Sequence, residues 1–177
     1  MHNTRLPMYI DKKLHHFISE PWWKNTNNEV VQFLHDELPF QWPWGYTIYR
    51  TVYTPESNQH WDALLEAISK SIYRSLDEDE PSRIFQEGYR PLAFDDSAQF
   101  NGATLDKIRN HFKEVRESDN GHQGVRFRWC LVIDEAALQS IIRHPGWVTV
   151  VDPNYQEDSS CNTEYYLGYF RLYLKYL

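Results

Sequence analysis

The sequence predicts an α+β fold, a small sheet of about three to five strands with helices packed mainly on one face, and a ferredoxin-like sandwich is the best guess. Residues 46–53 are almost all β-branched or aromatic, which favours a strand. Apolar residues between positions 61 and 72 recur at the spacing of one helix face. The 177 residues of the chain suit one core, so we expect a single domain over 1–177.

An aromatic, helical extension is expected at the N-terminus, over residues 1–40, packed on the domain. Val30, Phe33 and Leu34 have helical spacing, and they predict a helix over 29–38 that the following proline ends. Aromatic residues make up 16% of the whole chain. So many large rings indicate an aromatic core, with a ligand pocket or an interface as the alternatives.

The first predicted strand runs over residues 44–53 and leads directly into a helix. Alternation places Ile48 and Arg50 on one face of this strand and Tyr49 on the other. The threonine and proline that follow form a helix start, because threonine is a good N-cap and proline is favoured in the first turn. The apolar stripe of this helix consists of Trp61, Leu64, Leu65, Ile68 and Ile72.

Residues 81–103 have no clean period and predict a long ordered loop with room for a short strand. Loops of this length in a compact domain are often functional. A further helix is predicted next, with Thr104 as its cap. Its inward residues are expected to be Leu105, Ile108, Phe112 and Val115.

The C-terminal part alternates strands and short helices. Residues 125–133 predict a second strand, Asp134 is placed to cap a short helix, and residues 147–151 predict a third strand. Aromatic and leucine residues between positions 166 and 177 fit the spacing of an amphipathic C-terminal helix.

The segment 44–55, Trp-Gly-Tyr-Thr-Ile-Tyr-Arg-Thr-Val-Tyr-Thr-Pro, resembles a group of small uncharacterised proteins from filamentous fungi. Their pattern is Trp-Gly-(Phe or Tyr)-x-Ile-Tyr-Arg-Thr-x-Tyr followed by a helix. Residues 127–135 and 151–155 are also similar to that group, and the resemblance covers residues 42–76 and 104–155. The resemblance implies a domain and a fungal origin, and it implies no particular reaction.

Charge and composition argue against several classes of function. The formal net charge is −7 and lysines and arginines are not clustered, so no nucleic-acid partner is expected. The chain has no long apolar run of the kind that spans a membrane. The 2 cysteines, without a secretory signal at the N-terminus, predict reduced thiols and a cytoplasmic location. Cys130 lies among apolar neighbours and is expected to be buried and inert.

Metal and cofactor sites are not predicted. His60 and Asp62 have the spacing of two ligands of an iron site. On a helix, however, residues two apart point about 200° away from each other. His15 and His16 are adjacent and diverge in the same way. Zinc-ligand spacings, glycine-rich phosphate loops and the serine-hydrolase motif are absent from the sequence, so we expect no metal and no cofactor.

Arg50 is the residue whose position is energetically most demanding, because it lies within an apolar and aromatic strand. Burying a guanidinium without a partner costs several kcal/mol, so Arg50 needs a carboxylate, a sheet edge or a pocket. Asp134 and Asp152, at the ends of predicted strands, are the expected carboxylate partners. The alternative is that Arg50 binds an anion in an aromatic cleft.

Three functions are compatible with these features. The best guess is a non-catalytic regulatory module that binds a small molecule or a protein through an aromatic surface. The first alternative is a small cofactor-independent isomerase, cyclase or hydrolase that acts on a small organic molecule. The second alternative is a structural protein that forms a homodimer. The candidate ligand-binding residues are Arg50, Tyr53, Tyr89, Arg90, Arg128, Asp134 and Asp152.

Overall fold

Five strands and seven helices lie in the part of the chain that the computed structural model describes, which is residues 29–37, 43–74, 76, 78–118, 124–143, 146–156 and 166–177. The strands are β1 (Thr47–Arg50), β2 (Leu92–Phe94), β3 (Cys130–Ile133), β4 (Trp147–Val151) and β5 (Tyr169–Tyr173). The helices are α1 (Glu29–Glu37), α2 (Pro55–Tyr73), α3 (Glu80–Gly88), α4 (Ser97–Phe100), α5 (Leu105–Ser118), α6 (Val125–Arg128) and α7 (Glu135–Arg143). A 3-10 turn, Leu174–Tyr176, follows β5.

The sheet is mixed and has the strand order β2-β1-β3-β4-β5. β1 is parallel to both β2 and β3, whereas β4 is antiparallel to β3 and β5 is antiparallel to β4. Every residue of β1 and β3 is buried, as expected of strands covered on both faces. The predicted α+β class with a small sheet is therefore confirmed. The parallel pairing of β1 with both neighbours departs from the ferredoxin-like arrangement.

Two hydrophobic clusters cover the two faces of the sheet. The larger one contains Ile48 and Leu131 and is closed by side chains of α1, α2, α3 and α7. The smaller one contains Tyr49 and Val132 and is closed by side chains of α4, α5 and α6. Helices thus lie on both faces, with the longest, α2, on the first. Ile48 of β1 lies in the larger cluster and Tyr49 in the smaller one, so the side chains of β1 alternate between the two predicted faces.

Helix starts are the local features that the sequence indicated best. The Thr54 hydroxyl accepts a hydrogen bond from the Ser57 amide at 3.1 Å, which caps α2. The Asp134 carboxylate accepts from the Ala137 amide at 2.8 Å and caps α7. Both caps, and the helices that follow them, confirm the predictions. Each cap satisfies a backbone N–H that has no partner within its own helix.

The predicted N-terminal extension is described only in part. Its helix α1 packs on the domain, since the Phe33 ring lies 4.8 Å from that of Trp44 and 5.1 Å from that of Phe85, measured between centroids. The remainder of residues 1–40, including His15 and His16, lies outside the described residues.

The predicted loop at 81–103 is wrong in its first part, which forms helix α3 and is followed by β2 and α4. The Asp79 carboxylate accepts from the Ser82 amide at 2.8 Å and begins α3. Asp79 and the proline that follows in the first turn repeat the start signal of α2. The acidic run around this cap hid the signal, because it reads as the end of the preceding helix.

The predicted strand at 125–133 is wrong in its first half, where α6 forms one helical turn before β3 begins. The Phe127 amide donates to the Gly124 carbonyl at 2.9 Å, and the Thr47 hydroxyl donates to the Arg126 carbonyl at 2.8 Å. The turn buries Phe127 in the smaller cluster. Tertiary contacts with β1 therefore override the strand preference of these residues.

The predicted C-terminal helix at 166–177 is also wrong, because β5 and a 3-10 turn occupy this segment. β5 pairs with β4 over its whole length, from Tyr173 opposite Trp147 to Tyr169 opposite Val151. Short aromatic runs fit both the helical and the strand period. The open side of β4 supplies backbone hydrogen bonds that favour the strand.

Candidate functional site

Arg50 is buried, with 5% of its surface exposed, and its guanidinium is surrounded by groups of the chain itself. Its Nε donates to the Val52 carbonyl at 3.0 Å, and one terminal nitrogen donates to both carboxylate oxygens of Asp95 at 3.2 Å. The other terminal nitrogen donates to the Ser57 hydroxyl at 2.9 Å and to the Asn58 side-chain oxygen. These contacts engage all three nitrogens of the guanidinium. The geometry therefore favours the structural interpretation of Arg50.

The carboxylate that neutralises Arg50 is Asp95, and not Asp134 or Asp152 as expected from the sequence. Asp95 follows β2, which pairs in parallel with β1, so the two strands end together at one edge of the sheet. The Arg50 guanidinium also lies over the rings of Tyr53 and Trp61, at 4.5 and 5.0 Å from their centroids. Burial and the negative charge of Asp95 raise the pKa of Tyr53 to about 12.

The two predicted carboxylate partners have other roles. Asp134 follows Ile133, the residue paired with Arg50, but its carboxylate caps α7. One oxygen of the Asp152 carboxylate accepts from the Asn154 amide at 2.8 Å, and the other accepts from the Tyr166 hydroxyl at 3.0 Å. Asp152 thus holds together the two ends of the described part of the β4–β5 connection.

The remaining candidate residues do not join Arg50 and Tyr53. Tyr89 is buried in the larger cluster, with its ring 4.9 Å from that of Trp44, and burial raises its pKa. The Arg90 side chain donates to the Tyr89 carbonyl at 2.6 Å. Arg128 is exposed at the end of α6. The predicted ligand set is therefore spread over several places, with Arg50 against Tyr53 in one and Arg90 against Tyr89 in another.

A tyrosine–histidine pair on the opposite face of β1 was missed by the sequence reasoning. The Tyr49 hydroxyl and His111 Nδ1 lie 2.8 Å apart, and which group donates depends on the histidine tautomer. Burial raises the pKa of Tyr49 and lowers the pKa of His111. The His111 ring meets the rings of Tyr49, Phe94 and Phe100 edge-on, at centroid distances of 5.6, 4.8 and 5.0 Å. The sequence carried one sign of this pair. His111 lies beside the predicted inward residues Ile108 and Phe112 on α5, which indicates a partly buried histidine.

His111 is expected to make folding stability depend on pH. Its pKa is lowered in the folded state, so protons bind the unfolded chain more readily. The stability that depends on a neutral His111 is fully present above the unfolded pKa of about 6.5. It falls as the pH drops below that value and stops falling below the folded pKa. Urea unfolding followed by tryptophan fluorescence at pH 7.5 and pH 5 should show a larger loss for the native chain than for His111→Gln. Equal losses in both proteins would contradict this assignment.

An exposed aromatic surface lies at the other end of the sheet, on and beside the edge strand β5. Exposed side chains of β5 and its neighbours form this aromatic edge, and they are Trp129, Tyr166, Leu167, Phe170 and Tyr173. The Trp129 and Phe170 rings are 6.3 Å apart, and the Arg171 guanidinium lies 4.3 Å from the ring centroid of Trp147. Alternation places Phe170 on one face of β5 and Tyr173 on the other, so this edge exposes large apolar groups on both faces, which is a feature of interaction sites.

The register of β5 shows which backbone groups it turns outward. The Asp152 amide donates to Gly168 and the Leu174 amide donates to Gly146, both at 2.9 Å, so Phe170 and Leu172 also lie in hydrogen-bonded pairs with β4. The alternate residues direct their N–H and C=O groups away from β4. These outward residues are Tyr169, Arg171 and Tyr173.

The structure also bears on a metal site, a reactive cysteine and a membrane-spanning helix. No group of three or more His, Cys, Asp or Glu side chains within the described ranges is arranged to hold a metal ion. Cys130 is completely buried, as predicted, and burial raises the pKa of its thiol to about 12, which makes it a poor nucleophile. None of the helices that the structure describes is long and apolar enough to cross a membrane.

The chain was compared with protein-family models, with curated proteins and with solved structures, and no match was found in any of the three comparisons.

Proposed function

We propose that this chain is a non-catalytic binding module that takes up an extended segment of a partner protein along the outer edge of β5. The observation that carries the proposal is the coincidence of outward backbone groups and exposed aromatic side chains on one strand. An added strand gains affinity from main-chain hydrogen bonds and specificity from alternate side chains. A cytoplasmic location belongs to the same proposal and is supported by the free thiol of Cys130.

The aromatic edge also indicates the chemistry of the partner segment. Phe170 and Tyr173 are 44% and 43% exposed, so they offer apolar contact to a strand laid beside them. Arg171 lies on the same face of β5 as Tyr173 and carries a positive charge on an exposed side chain. We expect the bound segment to alternate apolar residues with an acidic residue opposite Arg171, because opposite charges across paired strands are favourable.

A second copy of this chain fits the edge less well than an extended segment of a different protein. Antiparallel pairing centred on Arg171 would match all of the outward residues, with Tyr169 opposite Tyr173 of the second copy. It would also place two guanidinium groups directly opposite each other, which is destabilising. Registers shifted by one residue avoid the repulsion, but they leave one of the outward residues without a partner.

A random peptide display library, selected against the immobilised chain, tests the proposal. We expect enriched peptides with alternating apolar and acidic residues. Binding of a selected peptide should slow hydrogen exchange at the amides of Tyr169, Arg171 and Tyr173, which point away from β4. Arg171→Pro removes one outward N–H and leaves the ladder with β4 intact, so it should weaken binding at least tenfold more than Arg171→Ala.

Three outcomes would overturn the proposal. The first is a library that yields no peptide, and the second is a peptide that leaves those three amides unprotected. The third is a stable dimer in sedimentation whose outward amides are already protected in the free chain, which would assign the edge to a second copy.

A small cofactor-independent enzyme is a second candidate, favoured by the 2.8 Å contact between Tyr49 and His111. A neutral histidine beside a phenol is suited to moving a proton. Tyr49 is completely buried, so only His111 could approach a substrate directly. This candidate ranks second because the contact also serves to satisfy a buried hydroxyl.

A further inference from the structure

Two adjoining grooves lie between α2, α7 and the C-terminal 3-10 turn that follows β5. The first, called the basic groove, has a volume of about 410 Å³ and is lined by three cationic residues, Lys70, Arg74 and Lys175. The second, called the apolar groove, has a volume of about 200 Å³ and includes Leu64, Leu138, Ile141 and Ile142. Ala67 and Leu174 line both grooves, so the two lie side by side.

The charge of the basic groove is opposite to that of the whole chain, which carries a formal net charge of −7. Lys70 and Arg74 lie at the carboxyl end of α2, where cations complement the helix dipole. Lys175 comes from the 3-10 turn, so the dipole of α2 does not explain it. Lys70 pairs with Glu66 at 2.7 Å, but both side chains are mostly exposed and such pairs contribute little. The Lys175 ammonium lies 4.6 Å from the ring centroid of Tyr176, and exposed contacts of this kind are also weak, so the cations remain available to an anion.

The apolar groove is suited to a hydrocarbon group. Ile142 is 38% exposed at its surface, whereas Leu64 and Leu138 form a buried floor. A ligand that covered these residues would remove apolar surface from water, which favours binding. A molecule with a hydrocarbon chain and an anionic head would therefore fit both grooves. Its chain would contact the apolar side chains of one groove, and its head would contact the cations of the other.

We propose that the two adjacent grooves together bind a free single-chain amphipathic anion. Its carboxylate or phosphate lies among Lys70, Arg74 and Lys175, and its hydrocarbon chain extends over Ala67 and Leu174 into the apolar groove. This site adjoins the proposed strand-binding edge, since the Lys175 ammonium lies 6.0 Å from the ring centroid of Tyr173, but the argument for it does not rest on that edge.

Isothermal titration calorimetry with hexanoate, octanoate and decanoate, all below their micellar concentrations, tests the site. We expect affinity to rise with chain length, by up to about fourfold per CH₂ group, which is 0.8 kcal/mol expressed as a ratio of binding constants. Decyl phosphate should bind at the same place. Decyltrimethylammonium, which has the same chain and the opposite charge, should bind at least tenfold more weakly than decanoate.

Substitutions in each groove test where the ligand binds. The double substitution Lys70→Gln with Lys175→Gln should weaken decanoate binding at least tenfold, and Ile142→Ser should reduce the gain per CH₂ group. Arg83→Gln is the matched control, because Arg83 is an exposed cation on α3 outside both grooves. Lys70 and Lys175 are exposed, so their replacement should leave the chain folded.

Several results would overturn the proposal. These are equal binding of the anionic and cationic probes, unchanged decanoate affinity in the lysine double variant, and an equal loss in Arg83→Gln. Binding to vesicles of anionic phospholipid without binding to monomeric decanoate would assign the cations to a membrane surface instead.

Discussion

Replacing Arg50 by methionine is expected to lower the free energy of unfolding by about 2–4 kcal/mol, because buried acceptors lose their donors and the partly exposed Asp95 loses its counter-charge. The substitution keeps much of the side-chain volume but removes every N–H donor. The Val52 carbonyl and the Asn58 side-chain oxygen would each lose a bond from the guanidinium, and Asp95 would lose its counter-charge. Urea unfolding followed by tryptophan fluorescence measures the loss.

Two further variants separate the contributions around Arg50. Asp95→Asn should cost less, about 1–2 kcal/mol, because the Asp95 side chain is 36% exposed and an amide oxygen still accepts a hydrogen bond. Asp62→Asn removes an exposed carboxylate from the surface of α2 and should change stability by less than about 0.5 kcal/mol. If Arg50→Met unfolded within 1 kcal/mol of the native chain, the ion pair would be incidental and an anion-binding role for Arg50 would gain support.

Replacing Trp44 by alanine is expected to destabilise the chain by about 3–5 kcal/mol, the usual range for removing a large buried ring. The Trp44 ring is 2% exposed and lies 4.1 Å from the Phe85 ring centroid. Its Nε1 donates to the Phe85 carbonyl at 2.7 Å, so the substitution leaves a buried acceptor without its donor as well as a cavity. Calorimetric unfolding should show a much lower Tm.

Trp44→Phe and Tyr176→Ala are the controls for this prediction. Trp44→Phe keeps most of the ring packing and loses the hydrogen bond, so we expect a loss of about 1–3 kcal/mol. Tyr176 is 68% exposed, and its removal should change stability by less than about 0.5 kcal/mol. A loss for Trp44→Ala no larger than that for Tyr176→Ala would mean that α1, α3 and β1 do not form one core around this ring.

In that core, the backbone at Trp44 and Gly45 lies directly against the backbone at Arg90. The Trp44 carbonyl accepts from the Arg90 amide at 2.7 Å. A Cβ on Gly45, which has φ of +155°, would lie 2.6 Å from the Arg90 carbonyl oxygen. Only glycine allows the two backbones to pass at this distance. The tryptophan and the glycine of the motif are thus explained by packing rather than by chemistry.

The sequence predicted those parts of the fold whose signals are local. The N-cap at Thr54 and the apolar stripe from Trp61 to Ile72 specify α2, because a cap and a helical period need only neighbouring residues. The burial of Arg50 could likewise be inferred from its apolar strand. The identity of its partner could not, because Asp95 is brought near only by the parallel pairing of β1 and β2.

By itself, the sequence determined the α+β class, the strand at Thr47–Arg50, the main helices and the need of Arg50 for a partner. Tertiary structure decided that Val125–Arg128 turns as a helix and that Tyr169–Tyr173 extends as a strand. Those segments have ambiguous local preferences, so contacts with β1 and the open side of β4 choose between them. The same choice places aromatic side chains on a sheet edge, where the proposed binding surface lies.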